Sequence, residues 1–523
     1  MFNIFMRSML LVAVTLPVLA SSLRAEVITP CWTIASDCAK YVKIEGNLLT
    51  VDVPHGVTNV CAYATAEVDL SDWMFSMLEA EVMCKAERLE RSPRPHRGLK
   101  VSLFYFDTSR EFQRMRYPNA AAVPQDGGFD WRPLRLSVLF GENPPGADPK
   151  PRLVLGIQQT PGKAIFDLST FKCRKASPPF PREDNDYQVK YPERVLRRGA
   201  MRGVMGRGFC RNTEQDIEDL KNYGANLLRL HMNGFTQHVK QHGLTGTLED
   251  WNAWLRVNVD HAEEVLGWLE KRNMMMVLDM HNPPLRTPES RLTVHEKKEC
   301  ADRFVSAWEE IARRFNGRKG LYGYDLINEP AQYGTALPDC DYWNLQRRAA
   351  EAIRKIDPEA TIIVAANEYS ASHAFLYLRA LEMDNVIYQV HFYKPFKYTH
   401  QGVNGAPRPQ KGTEMGYPEQ ARGWTKDYLR ECLKPVVDFQ RRHGAKIFVG
   451  EFSASIYSPG AGRYLSDCID LFEEYGWDWT YHAFRQAIWW DVESVPMENL
   501  GERCPNKVND RFRALFEGFH RVR

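Results

Sequence analysis

The sequence predicts two folds in succession: a β-sandwich of jelly-roll type, then an α/β domain built as a (β/α)8 barrel. Three observations carry this. From about Val27 to Cys173, short β-branched and aromatic runs are separated by Gly, Pro and Asp clusters, with no long amphipathic helix between them. Residues 174–195, which include Ser177-Pro-Pro-Phe-Pro-Arg-Glu-Asp-Asn-Asp186, are rich in Pro and charge and read as a linker. From about Arg198 to the C-terminus, apolar runs alternate with stretches of three-to-four periodicity.

The sandwich runs are Leu48–Val53, Leu78–Cys84, Leu99–Phe106, Leu134–Phe140, Leu153–Ile157 and Ala164–Leu168. The barrel supplies eight: Gly203–Phe209, Asn226–His231, Met274–His281, Gly323–Asn328, Thr361–Ala366, Val386–Tyr393, Lys446–Glu451 and Asp478–Phe484. Most are near-continuous apolar runs, as strands buried on both faces of a parallel sheet require. Helical patterns fall between them at Leu248–Lys271, Glu296–Phe315, Tyr342–Ile356, Thr425–Arg442 and Gly462–Tyr475, and Asp510–Phe519 closes the chain. An open doubly wound sheet is the alternative. It would more often carry a Gly-rich turn after its first strand, and Gly206-Arg-Gly208 is no G-x-G-x-x-G.

Residues 1–25 have the three parts of a secretory signal: Arg7, an apolar run from Met9 to Ala20, then small residues with cleavage sites after Ala20 or Ala25. The expectation is a secreted or periplasmic protein with no membrane attachment after cleavage, because no other run approaches a bilayer's length. Export permits disulfides, and five of the 11 cysteines fall at Cys31, Cys38, Cys61, Cys84 and Cys173. No C-x-x-C pair occurs, which removes zinc-ribbon and thioredoxin-like readings. A net charge of +2 without basic clusters gives no reason to expect a nucleic-acid partner. The 13 Trp suit a protein that stacks sugar rings and equally a large core. Nothing marks an oligomer, so a monomer is the expectation.

In a barrel of this kind the reacting groups sit at the C-terminal ends of the strands. The fourth strand ends Asp325-Leu-Ile-Asn328-Glu329-Pro330 and the seventh ends Phe448-Val-Gly450-Glu451-Phe452. The two glutamates lie about 120 residues apart, three β/α units at about 40 residues each, hence across the mouth from one another. Glycoside hydrolysis needs such a pair: one carboxyl protonates the leaving oxygen while the other attacks the anomeric carbon. Other strand ends add Arg229 and His231, His281, His391 and Tyr393, and the eighth leads through His482 to Trp489-Trp490. Polar groups at nearly every strand end of a buried barrel need a reason.

With Asn-Glu-Pro, Gly-Glu-Phe, His391-x-Tyr393 and Trp477-Asp-Trp-Thr-Tyr-His-Ala-Phe-Arg485 in place, residues 198–523 resemble glycoside hydrolase family 5, the cellulase-type clan A barrels. The resemblance implies a retaining β-glycoside hydrolase acting on a polysaccharide or oligosaccharide, with no cofactor. It implies Glu329 as acid/base and Glu451 as nucleophile. It further implies Arg229 and Tyr393 on the nucleophile's carboxylate, Asn328 on the sugar 2-hydroxyl, and His281 and His391 around the reacting subsite; His231, at the end of the second strand, is a further candidate for substrate binding. Trp490, with Trp489 as the alternative, would be its floor; similar sequences run to Gly-Trp where this one has Trp-Trp. Arg152-Leu-Val-Leu-Gly-Ile-Gln and Gly162-Lys-Ala-Ile-Phe-Asp-Leu168 look like the closing strands of carbohydrate-binding β-sandwich modules. The expected substrate is a β-glucan, with mannan or another β-glycan as the alternative.

Electrostatics fits that division of labour. A permanently cationic Arg229 favours an ionised Glu451, and the charge on Glu451 disfavours ionising Glu329 as well. Two rival readings lack their marks. A metal-dependent barrel would want H-x-H on its first strand, which has no His, and His238 and His242 lie in no H-E-x-x-H. A non-catalytic carbohydrate-binding barrel would have lost one glutamate, and both are present. The segment from Tyr393 to Trp424, with many Gly and Pro, reads as a loop shaping the cleft. Phe396, Tyr398, Tyr417 and Trp424 are its candidate stacking rings.

Overall fold

The computed structural model describes residues 28–523 apart from 72, 74–75, 91–96, 108–111, 117–125, 141–149, 177–184, 286–292, 333–335, 404–407, 411, 496–508 and 523. The leader expected at residues 1–25 and the centre of the linker lie outside the described residues.

The N-terminal part forms two five-stranded sheets with antiparallel pairing. One runs Thr33–Ile34, Cys61–Glu67, Arg152–Gln158, Gly98–Asp107, Phe112–Arg116; the other runs Val42–Glu45, Leu48–Val53, Gly162–Ala176, Met77–Leu89, Gly127–Leu139. Period-two alternation decides what is inside: Ala62 and Ala64 join the core while Tyr63 and Thr65 face out, and Leu99, Val101 and Leu103 do the same on a neighbouring strand. Leu153, Leu155 and Ile157 meet Val82, Leu134, Leu136 and Phe166 between the sheets. The outer face of the second sheet carries the pairs Arg135–Glu81, Arg174–Glu79 and Lys163–Glu87, which mark it as solvated. All the described cysteines are free thiols, Cys84 and Cys173 among the core residues.

Eight parallel strands then close into a barrel in chain order: Arg202–Met205, Leu227–His231, Met275–Asp279, Leu321–Asp325, Ile362–Ala365, Val386–Phe392, Lys446–Phe452 and Asp478–Tyr481. Closure is made by the first strand pairing with both the second and the eighth. Helices pack outside. Glu214–Tyr223 and Leu248–Glu270 each start at a capping box, Thr213 with Asp216 and Thr247 with Asp250. The second of them buries Trp251, Trp254, Leu255, Val265, Leu266 and Leu269, the stripe its periodicity predicts.

Inside the barrel the side chains stack in layers. The lowest is apolar: Leu227, Val277, Tyr322, Ile363, Ile387 and Phe448. Two residues further along the strands, on the same face, come Arg229, Asp279 and Gln389, all completely buried. Two more residues bring His231 and His391 to the mouth. A plugged lower half and a polar upper half follow from alternation along the second, third and sixth strands.

The chain between the two folds departs from the expected linker at both ends. The last sandwich strand continues to Ala176. At the other end, Val189 is buried in the barrel's core and its N–H donates to His443 O at 2.9 Å. The Tyr191 hydroxyl donates to Val386 O at 2.7 Å and accepts from Lys446 N–H at 2.6 Å, so it joins the starts of two barrel strands. Pro-rich composition reports poor helix and strand propensity; it does not report whether a segment docks.

Candidate active site

Glu451 ends the seventh strand through a bulge. Pairing with the sixth strand runs Val390 to Val449, then skips Gly450 and resumes at His391 to Glu451. The extra residue turns the Glu451 side chain into the barrel, a usual purpose of bulges beside reacting groups. Gly450 is required for it: a Cβ there would lie 2.0 Å from Gln389 Oε1 and 2.9 Å from His391 Nε2. Glu329 is placed by a different device. It lies beyond the fourth strand with φ 46°, and Tyr369 N–H donates to Pro330 O at 3.0 Å just after it. A non-glycine residue held in the left-handed region is backbone strain of the kind that gathers at reacting sites.

Glu451 is 4% exposed and fully engaged. Oε1 accepts from Arg229 Nη1 at 2.9 Å, and Oε2 accepts from the Tyr393 hydroxyl at 2.8 Å. His391 Nδ1 and His482 Nδ1 each stand 3.7 Å from Oε2. Burial alone would raise its pKa, but His391, His482 and Arg229 together outweigh burial and hold it well below the usual carboxylate range. The same burial, with Glu451 alongside, pushes the Tyr393 phenol well above its ordinary value, so it keeps its proton to donate. Glu329 Oε1 lies 3.1 Å from His391 Nδ1. One carboxylate oxygen of each glutamate and a nitrogen of His391 lie within 4.8 Å of one another.

Arg229 is the hub beneath. Its Nε donates to Asp325 at 2.9 Å, Nη2 to Asn328 Oδ1 at 3.0 Å, and Nη2 also stands 3.0 Å from Asp279. Burial opposes its charge, but Asp279, Asp325 and Glu451 more than compensate, and its proton is held above the ordinary value. Burial raises Asp325 to about 7 against the pull of Arg229, with Asp279 pushing the same way as burial. Gln389 Nε2 donates to its other oxygen at 2.9 Å. Asp279 also meets His281 Nδ1 at 2.9 Å, and His281 Nε2 faces Asn328 Nδ2 at 3.4 Å. Asn328 is thereby oriented, its oxygen on Arg229 and its amide nitrogen on His281.

His231 stands behind these groups. It is 3% exposed, 2.9 Å from Gly206 O through Nε2, and edge-on to His281; burial, then His281, lowers its pKa well below the ordinary value. Of the two tryptophans, Trp490 lies at the site, its ring 5.9 Å from Tyr393, 5.1 Å from His400 and 5.6 Å from His482. It is only 3% exposed, whereas Trp489 is 38% exposed. The segment after the sixth strand is stitched down: Gln401 exchanges amide bonds with Met415, Ser455 N–H donates to Thr399 O, and Ser458 Oγ donates to Tyr398 O. Tyr398, Tyr417 and Trp424 are buried in the barrel's core cluster, so three of the four candidate stacking rings are packing; Phe396 stacks on His400 at 3.8 Å.

Five residues at the site had no role assigned from sequence: Asp279, Asp325, Gln389, Gln486 and His482. Asp279 and Gln389 sit two residues beyond the inward-facing Val277 and Ile387, which alternation could have flagged, whereas Asp325 lies three beyond Tyr322 across a register shift and could not be found that way. His482 lies just past the last strand, where Nδ1 is 2.8 Å from the Tyr393 hydroxyl and Nε2 is 3.0 Å from Gln486 Oε1. Among the described residues, Glu329, His391 and Glu451 are the one group spaced to hold a cation. The Arg229 guanidinium on Glu451 opposes a second positive charge there.

The barrel and its paired carboxylates define a glycoside hydrolase. The cellulase family, glycosyl hydrolase family 5, matches residues 193–488, and this chain belongs to it. Over 299 residues it is 26% identical to endoglucanase C of Acetivibrio thermocellus, covering 51% of this chain and 83% of that protein. Over 245 residues it is 26% identical to cellodextrinase A of Ruminococcus flavefaciens, covering 46% of this chain and 68% of that one. Among solved structures, Thermotoga maritima Cel5A in complex with cellobiose aligns at 20% identity with a TM-score of 0.47, covering 60% of this chain and 97% of that one.

Proposed function

We propose that this enzyme cleaves a β-glucan with retention of configuration, Glu451 attacking the anomeric carbon and Glu329 serving as acid and then base. The observation that carries this is the approach of the two carboxylates to within 4.8 Å. Retaining enzymes hold theirs roughly 5–5.5 Å apart, and inverting ones leave room for a water at about 6.5–9.5 Å. The environments support the roles. Glu451, bonded by Arg229 and Tyr393, is the ionised nucleophile. Glu329 meets the cluster through His391 Nδ1 at 3.1 Å, and its side chain is 22% exposed, so its carboxyl can exchange a proton with a leaving group and then with water. The charge on Glu451 disfavours a second anion beside it. Forming the glycosyl–enzyme removes that charge, so Glu329, having given its proton to the leaving oxygen, stays ionised and takes a proton from the attacking water.

The named roles of the relatives, endoglucanase and cellodextrinase, point to β-glucan as the substrate class. The N-terminal sandwich is read as a carbohydrate-binding module and the leader as an export signal. The test is reducing-sugar release from β-glucans, β-mannan, xyloglucan and xylan by wild type, Glu329→Gln and Glu451→Gln, with the product anomer followed by NMR. Release from β-glucan, initial β-anomer, and a loss of several orders of magnitude in Glu451→Gln are expected. An initial α-anomer, or activity unchanged in both variants, refutes the reading.

A further inference from the structure

The fourth and fifth barrel strands pair through Asp325 and Ile363, and Leu326 N–H adds a bond to Ile363 O at 3.2 Å. Beyond it the two chains part, and Glu329 stands in the arch that follows, with φ 46°. They meet again at Gln332 and Asn367. Asn367 Oδ1 accepts from Gln332 N–H at 2.9 Å, and Asn367 Nδ2 donates to Gln332 O at 2.8 Å. One side-chain amide thus makes the two bonds that a neighbouring strand would make to Gln332. The Gln332 side chain is fixed in turn, its Oε1 accepting from Tyr342 N–H at 2.7 Å where the helix Tyr342–Arg354 begins.

A second tie lies beside the first. Pro330 has no N–H, so its carbonyl is its one backbone handle, and Tyr369 N–H donates to it at 3.0 Å. The chain after Asn367 turns left-handed to do so: Glu368 has φ 53°, Tyr369 65° and Ser370 58°. Residues with a Cβ resist that region, and three in succession persist where the surroundings hold them. The Glu368 carboxylate supplies a hold. It accepts from the Tyr377 hydroxyl at 2.5 Å and meets His373 Nε2 at 3.1 Å.

We propose that Asn367 is a positioning residue for the acid/base: it fixes the foot of the arch that carries Glu329. The inference rests on the double-displacement reading. Asn367 is completely buried, so it cannot reach the substrate and acts through Gln332 and Pro330. Glu451 is placed by separate means, the bulge at Gly450 and the bonds from Arg229 and Tyr393. A fault at Asn367 therefore reaches the acid/base and leaves the nucleophile where it stands.

That selectivity can be read from the leaving group. Dinitrophenolate departs without a proton, whereas the leaving oxygen of cellotetraose must be protonated. On both substrates kcat/KM reports the first step. In Asn367→Ala, kcat/KM on cellotetraose is expected to fall about 10- to 100-fold, as for a misplaced reacting group. On dinitrophenyl β-cellobioside it should stay within about twofold, because the nucleophile is intact. On that substrate kcat should fall, since water attack needs the base, and added azide, which needs none, should restore it. Loss of folded enzyme would lower both substrates alike. Asn367→Asp keeps the acceptor for Gln332 N–H but sets an oxygen against Gln332 O. It should show the same selectivity, and it carries the test if Asn367→Ala does not fold. Equal losses on the two substrates, no loss, or no restoration by azide would each overturn the proposal. A wild type that inverts the anomer, or cleaves neither substrate, overturns the function reading and this proposal together. A retaining wild type with the wrong variant pattern overturns this proposal alone.

Discussion

Gly450→Ala tests whether the bulge under Glu451 is held by lack of space. The new Cβ would sit 2.0 Å from Gln389 Oε1, so it stands about 1.4 Å short of an ordinary contact. The amide must move, and its Nε2 is fixed to Asp325 Oδ1 by a 2.9 Å bond. Losing a buried hydrogen bond to a carboxyl costs about 1.5–3 kcal/mol, and overpacking adds about 1–3 kcal/mol. The expected destabilisation is thus about 3–5 kcal/mol, read as a lowered denaturant midpoint at unchanged slope. Activity should fall further than stability alone explains, because the bulge that moves carries Glu451. Gln389→Ala removes the obstructing amide, so the double variant should be more stable than the summed single losses predict. A Gly450→Ala enzyme with wild-type midpoint and rate, or a double variant whose losses simply add, would refute the steric reasoning.

Four further outcomes are expected. Arg229→Met strands Asp279, Asp325 and Glu451 without their shared cation, and unfolding experiments should show a loss of about 3–5 kcal/mol; less than about 1 kcal/mol would contradict the hub described above. Tyr393→Phe removes a donor from Glu451 and so raises its pKa, which moves the acid limb of the kcat/KM profile up by about one unit; an unmoved limb would show that the phenol does not favour the ionised form. Burial pushes the Asp325 carboxyl up to about 7 from an ordinary 3.8, so between those values the native state holds a proton that the unfolded chain has released. Its contribution to stability is therefore full at low pH and declines from about pH 4 to about pH 7 by an amount on the order of a few kcal/mol; Asp325→Asn should flatten that slope in denaturant midpoints measured against pH. Trp490→Ala should cost both stability and turnover, and Trp489→Ala little of either; the reverse order would place the floor of the subsite on the exposed ring.

Where the sequence was legible, the physics was local. Leu227, Arg229 and His231 share a face by alternation, so one cation on the second strand had to point inward. Asn328-Glu329-Pro330 and Gly450-Glu451 stand at strand ends, where a parallel barrel exposes its groups. What stayed hidden depends on register or on long-range packing. The skip at Gly450 shows only in the pairing with the sixth strand. His482 meets Tyr393 across 89 residues, and no spacing rule spans that distance. Trp489 and Trp490 differ by one position, and which of them turns inward is settled by Val403, Ile456 and Tyr457 packing around Trp490.

Tyr191 and Val189 bear on how this protein can be cut. The catalytic unit has a stopper at its lower end, and the stopper is supplied by chain that precedes the first barrel strand. An expression boundary at the start of the family match, residue 193, would remove both side chains and open the space beneath Val386 and Lys446. A boundary ahead of Asn185, whose Nδ2 reaches Ala380 O at 3.0 Å, would keep the seal. Anyone grafting a different N-terminal module onto this barrel should splice upstream of that asparagine.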